Sequence, residues 1–158
     1  MSDEISYFPL IPERTSAKAR LTALQKAEFM RGLDIFSEAS VEELYRLASI
    51  AQELDFAPQQ FLFREDDIAD AFHILVQGKV ELASEKRNTR AVLGPGEAVG
   101  LYSALTREPR CATAQALEDT FTVFIGAEDL YSELSNNPEI VASIFKHFVK
   151  KIGMGPKD

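Results

Sequence analysis

Residues 72–82 read Phe72-His73-Ile74-Leu75-Val76-Gln77-Gly78-Lys79-Val80-Glu81-Leu82. Phe72, Ile74 and Val76 alternate with His73, Leu75 and Gln77. That period of two places successive side chains on opposite faces of a strand. Gly78-Lys79 then offers a tight turn into Val80-Glu81-Leu82. The same period extends over residues 54–125. Phe61 and Phe63 alternate with Leu62, and further strand-like runs cover residues 90–93, 112–116 and 120–125. Lys86, Arg87 and Arg90, around Asn88 and Thr89, read as a solvated hairpin tip. Short strands at this spacing predict a sandwich or barrel of antiparallel strands.

On either side the period lengthens to that of a helix. A first helix is expected from Thr15 or Ser16, with Ala17, Leu21, Leu24, Ala27 and Met30 at helical spacing. A second begins at Ser40-Val41-Glu42-Glu43, a capping box in which Ser40 and Glu43 each satisfy an orphan backbone N–H. Its expected buried stripe is Val41, Leu44, Leu47, Ala48 and Ala51. After the strands, residues 127–134 form a short helix. Asn137-Pro138 supplies an N-cap and a proline at the first helical position. Val141, Ile144, Phe145, Phe148 and Ile152 follow on one face, and Gly153 is the expected stop. The apolar face is wide enough to cover the strands or to pair with a second copy, so a homodimer is an expectation. Residues 1–14, with two prolines and little periodicity, read as an arm, residues 15–152 as one domain and residues 153–158 as a tail.

Composition narrows the functional classes. The chain has 158 residues, of which 46% are hydrophobic, enough for one domain with a real core. No apolar run approaches the ~18 residues of a membrane helix, and the acidic start Met1-Ser2-Asp3-Glu4 lacks the pattern of a secretory signal. The single Cys111 forms no internal disulfide, which fits a reducing, cytoplasmic setting. With 17 Lys and Arg against 25 Asp and Glu, the net charge is -8. Duplex nucleic acid is repelled by such a chain, because affinity for phosphate backbones comes largely from cations. His73 and His147 are the two histidines, too few and too far apart for a metal-binding roll. The glycines between Gly94 and Gly100 lack the Gly-Lys-Ser/Thr ending of a P-loop. No catalytic residue, metal site or required cofactor is assigned, and the chain is read as a non-enzyme.

The chemistry concentrates in residues 93–116, LGPGEAVGLYSALTREPRCATAQA. Gly94, Gly96 and Gly100 permit backbone conformations that a β-carbon forbids. Residues 101–105 can make one helical turn whose first N–H groups favour an anion. Arg110 follows ten residues after Gly100, entering a strand beside the small residues Cys111, Ala112 and Thr113. An arginine there can pair bidentately with a phosphate. The competing reading is a structural arginine paired with Glu97 or Glu108.

At these residues the chain resembles the cyclic-nucleotide-binding domain family, the eight-stranded β-roll of catabolite-activator-type regulators, cyclic-nucleotide-dependent kinases and gated channels. FMRGLDIFSEASVEELYRLASIA is similar to the family's helical lead-in, DAFHILVQGKVELA to its central hairpin, LGPGEAVG to the entry of its phosphate-binding cassette and REPRCATAQALEDT to the cassette's end. The resemblance implies an α+β, mainly β fold, a double-stranded β-helix with helices before and after it in sequence. It implies that Arg110 stands at the position that binds the cyclic phosphate. Leu101 stands where the family has a glutamate for the ribose 2′-hydroxyl, and a buried hydroxyl without its acceptor costs roughly 1–3 kcal/mol. Gln59 and Asp66 replace two loop glycines.

The expected ligand-binding set is therefore Gly100, Leu101, Tyr102, Ser103, Arg110, Cys111, Ala112 and Thr113. The expected ligand is a cyclic nucleotide or another phosphate-bearing small molecule, bound weakly or in altered form, in a regulatory sensor domain. The alternative is a ligand-free interaction or dimerisation module on the same fold. No helix-turn-helix follows in this chain, so an effector is expected as a protein partner or as part of a longer polypeptide.

Overall fold

Eight strands pair antiparallel in two four-stranded sheets in a computed structural model that describes residues 21–152. They are β1 (Gln52–Phe56), β2 (Phe61–Phe63), β3 (Ala71–Gln77), β4 (Val80–Ser84), β5 (Thr89–Leu93), β6 (Ala98–Val99), β7 (Thr113–Ala116) and β8 (Thr120–Gly126). The first sheet has the order β1-β8-β3-β6 and the second β2-β7-β4-β5. This is the expected antiparallel β-roll. Side chains from both sheets meet between them, with Leu54, Phe56, Leu75, Val99 and Phe124 from the first and Leu62, Phe63, Val80, Ala114 and Ala116 from the second. Alternation along most strands delivers these residues to one face, the arrangement of two stacked sheets; in β2 the register shifts between Phe61 and Phe63, and the consecutive Leu62 and Phe63 are both buried.

Two features of the strands differ from expectation. Gly78-Lys79 does not close a hairpin, because β3 and β4 belong to different sheets. The turn is a corner that carries the chain from one sheet to the other. Gly78 has φ +99, and a Cβ there would stand 2.6 Å from the Asp119 carbonyl oxygen and 2.7 Å from Thr120 Cα, so only glycine fits. The true hairpin is β4–β5, paired from Val80 with Leu93 to Ser84 with Thr89. Secondly, β3 does not alternate between core and solvent. Residues 71–75 are all buried, so this strand is covered on both faces.

The helical segments, residues 21–51 and 128–152, form a second compact unit. Helix α1 (Ala23–Arg31) starts later than expected: Thr22 is extended and accepts a hydrogen bond from Gln25 N at 3.1 Å, while Gln25 Oε1 accepts from Thr22 N. A helix begun at Thr15 or Ser16 therefore does not run through residue 22. Residues 1–20 and 153–158, with the arm, the tail, Ala17 and the Gly153 stop, lie outside the described residues. After a 3-10 turn at Asp34–Phe36, helix α2 (Val41–Ile50) carries the expected capping box. Leu44, Leu47 and Ala48 are buried as expected, whereas Val41, in the first turn, is 59% exposed. Helix α3 (Leu101–Thr106) interrupts the strands, and α4 (Ala127–Asn136) and α5 (Pro138–Lys151) close the described chain.

Asn137 occupies the N-cap position of α5, but its side chain makes no capping bond. Its amide donates to Glu133 O at 2.7 Å and its oxygen accepts from Arg46 Nη2 at 2.9 Å. The buried face of α5 is Ile140, Ser143 and Ile144. Ser143 Oγ accepts from Glu38 N at 3.1 Å, which turns that face towards the segment just after the 3-10 turn. Val141, Phe145 and Ile152, expected on one face with Ile144, are instead exposed, Phe145 by 68% and Ile152 by 66%.

Candidate functional site

Gly100 opens the cassette in the left-handed region at φ +82 and is the N-cap of α3. Two causes require glycine here. The conformation disfavours a β-carbon, and a Cβ would collide with the Arg110 guanidinium and lie 3.0 Å from the Phe63 ring. The absent side chain at 100 is thus the space into which Arg110 packs.

Arg110 is 3% exposed. Its Nη1 donates to the Gly100 carbonyl at 2.9 Å and its Nη2 to the Ala71 carbonyl at 2.5 Å. The guanidinium lies over the Phe63 ring, 4.0 Å from its centroid, in cation–π geometry. The main chain is held as firmly: Arg110 N donates to Asp67 O, and Asp66 N donates to Arg110 O, each at 2.8 Å. A buried cation survives where dipoles and hydrogen bonds replace its water. Two carbonyls and an aromatic face do so here, and they tie α3, β2 and the start of β3 together.

The ionisable neighbours respond to that cation. Burial holds the Asp70 carboxyl above the ordinary aspartate range, and the Arg110 charge pulls it partly back. His73 is wholly buried, with Nδ1 3.2 Å from Thr122 Oγ1 and its ring 5.9, 6.5 and 5.7 Å from those of Phe56, Phe63 and Phe124. Burial, and then the Arg110 charge, lower its pKa to about 3. His73 is accordingly neutral near pH 7 and belongs to the floor beneath the cassette.

The other expected site residues divide. Leu101 and Ser103 are buried, and Ser103 Oγ donates to Pro109 O at 3.4 Å, within the cassette itself. Tyr102 is half exposed. Cys111, Ala112 and Thr113 are partly exposed, and Thr113 Oγ1 accepts from Glu65 N at 2.9 Å. Glu97, weighed as a partner of Arg110, accepts from Gly94 N at 3.3 Å in the turn before β6. Gly96 and Gly100 have positive φ, and Gly94 does not, with nothing within 4 Å of a Cβ there. Gln59 and Asp66, standing for loop glycines, both take φ +75, the left-handed conformation those turns demand. The sequence reading missed Phe63, Asp70 and Ala71 as neighbours of Arg110. A phenylalanine in a strand and a main-chain carbonyl carry no signal of such a role.

An anion arriving at Arg110 has to compete with the Gly100 and Ala71 carbonyls and with the Phe63 ring. Among the described residues no group of three or more His, Cys, Asp or Glu is arranged to hold a metal ion, and no helix is long and apolar enough to cross a membrane.

Roll, cassette and arginine together define a regulatory ligand-binding fold. The cyclic nucleotide-binding domain family matches residues 53–137, and the chain belongs to that family. The "Cyclic AMP receptor protein" of Thermus thermophilus is 29% identical over 119 residues, covering 73% of this chain and 55% of that protein. "Patatin-like phospholipase domain-containing protein 6" of Pongo abelii is 24% identical over 164 residues, covering 96% of this chain and 12% of that protein. The crystal structure of the N-terminal domain of a transcriptional regulator from Streptomyces coelicolor A3(2) superposes with a TM-score of 0.65 at 26% identity, covering 78% of this chain and 90% of that one. The chain thus spans about half the length of the first relative and a small part of the second.

Proposed function

We propose that this chain is a non-catalytic regulatory module whose cassette is closed by its own arginine, so that cyclic nucleotides bind weakly or not at all. The observation that carries this reading is the Arg110 guanidinium: it is buried on Phe63 and donates to Gly100 and Ala71, where a phosphate anchor would keep its donors towards the ligand. Leu101 adds to it, because a buried leucine cannot accept a hydrogen bond from a ribose hydroxyl. Control then passes to an effector, a protein partner or a further part of a longer polypeptide, through contacts of the module. Any other phosphate-bearing small molecule would likewise have to displace the Gly100 and Ala71 carbonyls to reach Arg110.

The test is calorimetric titration with cyclic AMP, cyclic GMP, cyclic dinucleotides and inorganic phosphate, run beside Leu101→Glu. Loss of one buried hydrogen bond predicts binding of cyclic AMP and cyclic GMP weakened roughly 5- to 150-fold relative to a cassette carrying the acid, with part of it recovered in Leu101→Glu. Tight binding of cyclic AMP by the parent chain would overturn the proposal.

The exposed apolar residues Val141 and Phe145 on α5, with Ile152 at its C-cap, favour a second reading, a ligand-free module that pairs with a partner or a second copy. It becomes the better one if Leu101→Glu binds no more nucleotide than the parent does.

A further inference from the structure

The tip of the β4–β5 hairpin carries a charge pattern that the cassette does not use. Lys86, Arg87 and Arg90 bracket Asn88 and Thr89, and residues 85–92 are all exposed. Strand β5 lies at the edge of its sheet, bonded to β4 alone. Asn88 ends the turn in the left-handed region at φ +52, and Thr89 begins the strand. The cations are tethered to acids: Lys86 Nζ donates to the Asp66 carboxylate at 2.8 and 3.0 Å, and Arg90 Nη1 to Glu81 Oε2 at 2.5 Å. Opposite Thr89 in register is Ser84, a buried residue whose hydroxyl donates to Glu65 Oε2 at 2.8 Å. Directly opposite residues share a face of the sheet, so Thr89 stands on the Glu65 side of the hairpin. The neighbouring loop continues to the cassette: Asp66 N donates to Arg110 O and Arg110 N to Asp67 O, each at 2.8 Å.

We propose that Thr89 is a phosphorylation site for a protein kinase that reads cations ahead of its target, and that the phosphate draws Lys86 away from Asp66. Among the described Ser and Thr residues, Thr89 alone has basic residues at both the second and the third positions before it. Kinases select substrates largely by such charge patterns. Thr89 also lies on an exposed, extended segment at a sheet edge. One ladder of hydrogen bonds, rather than two, has to open for that segment to enter a kinase cleft. In the transfer, Thr89 Oγ1 forms a bond to the γ-phosphorus of a nucleoside triphosphate, and the bond from that phosphorus to the β,γ-bridging oxygen breaks. The hydroxyl proton passes to a base of the kinase, and the nucleoside diphosphate leaves. The product adds a charge of about -1.5 to -2 near neutral pH. Glu65 and Asp66 repel it, whereas Lys86, in the adjoining turn, is drawn to it more strongly than to a single carboxylate. Loss of the Lys86 pair then frees one side of the loop that pins the main chain of Arg110.

The experiment incubates the full chain with ATP and the catalytic subunit of a cyclic-nucleotide-dependent protein kinase, a basic-directed enzyme, and maps the phosphate by mass spectrometry. Transfer to Thr89 is expected. It should be abolished in Thr89→Val and slowed about tenfold or more when Lys86→Gln and Arg87→Gln are combined. All three side chains are exposed, and circular dichroism checks that each variant is folded. An acid-directed kinase run in parallel is expected to leave Thr89 unmodified. In the phosphorylated chain, amide hydrogen exchange at Asp66 and Arg110 should quicken about threefold or more, the scale of one lost surface ion pair. No transfer to Thr89, transfer as fast in the doubly substituted chain as in the parent, or equal transfer by the acid-directed kinase overturns the site. Unchanged exchange at Asp66 and Arg110 after phosphorylation overturns the displacement of Lys86.

Discussion

The two sheets of the roll are built from similar residues and meet different surroundings. In the first, β3 and β8 are buried on both faces over residues 71–75 and 120–125. In the second, β7 alternates between buried and partly buried, and β5 is exposed over residues 89–92. A strand covered on both faces tolerates no unpaired polar group, while an edge strand has water as a partner on one side. The polar chemistry of the cassette therefore becomes costly where it reaches the first sheet. Arg110, just before β7 of the second sheet, donates to Ala71 at the start of β3 in the first. It is a cross-sheet tie as well as a cassette residue.

The largest expected effect comes from cutting that tie. Arg110→Ala removes the donors to Gly100 and Ala71 and leaves a gap against Phe63. The loss should be about 3 kcal/mol or more of unfolding free energy, measured by denaturant titration. A loss below about 1 kcal/mol would mean that the arginine does not join the sheets, and the contrast between them would lose its main support.

The next effect belongs to His73, on the covered strand. Its folded pKa, about 3, lies below the unfolded value near 6.5. Between those values the unfolded chain binds a proton that the folded chain refuses, so stability falls as pH falls. The expected loss between about pH 7 and about pH 5 is about 2 kcal/mol. His73→Phe should remove that slope, whatever it does to absolute stability. The difference between the two pH profiles isolates the histidine from the carboxylates. Parallel profiles would show that His73 is hydrated and the strand less covered than described.

The smallest effect sharpens the comparison most directly, since one substitution is made in both sheets. Val123 of β8 is 0% exposed and Val92 of β5 is 55% exposed. Val123→Thr places a hydroxyl in a dry site and should cost about 1–3 kcal/mol. Val92→Thr should stay within about 0.5 kcal/mol. Equal costs in thermal or denaturant unfolding would erase the distinction between the sheets.

Much of this was legible in local sequence, because alternation, capping boxes and a proline at the first helical turn are short-range signals. The Ser40 capping box and most strand positions follow from such signals. Strand β6, two residues long, is too short to show a period. The Thr22 capping box was equally local, yet the apolar spacing running back to Ala17 masked it. The apolar residues of α5 spread over much of its circumference, so spacing named a stripe and packing chose another: Ser143, bonded to Glu38 N, set the rotation and left Phe145 outside.

By itself, then, the sequence determined the strand pattern, the helix caps and the place of Arg110 ten residues after Gly100, since each depends on residue type at a fixed separation along the chain, while the cassette and the missing carboxylate at Leu101 followed from the resemblance to the family. Only the tertiary structure decided which strands pair, that the Gly78 turn crosses between sheets, and where the Arg110 guanidinium points. Those outcomes depend on atoms far apart in the chain. The acceptor at Ala71 is 39 residues from Arg110, and no local pattern encodes the carbonyl to which a buried cation will be bound.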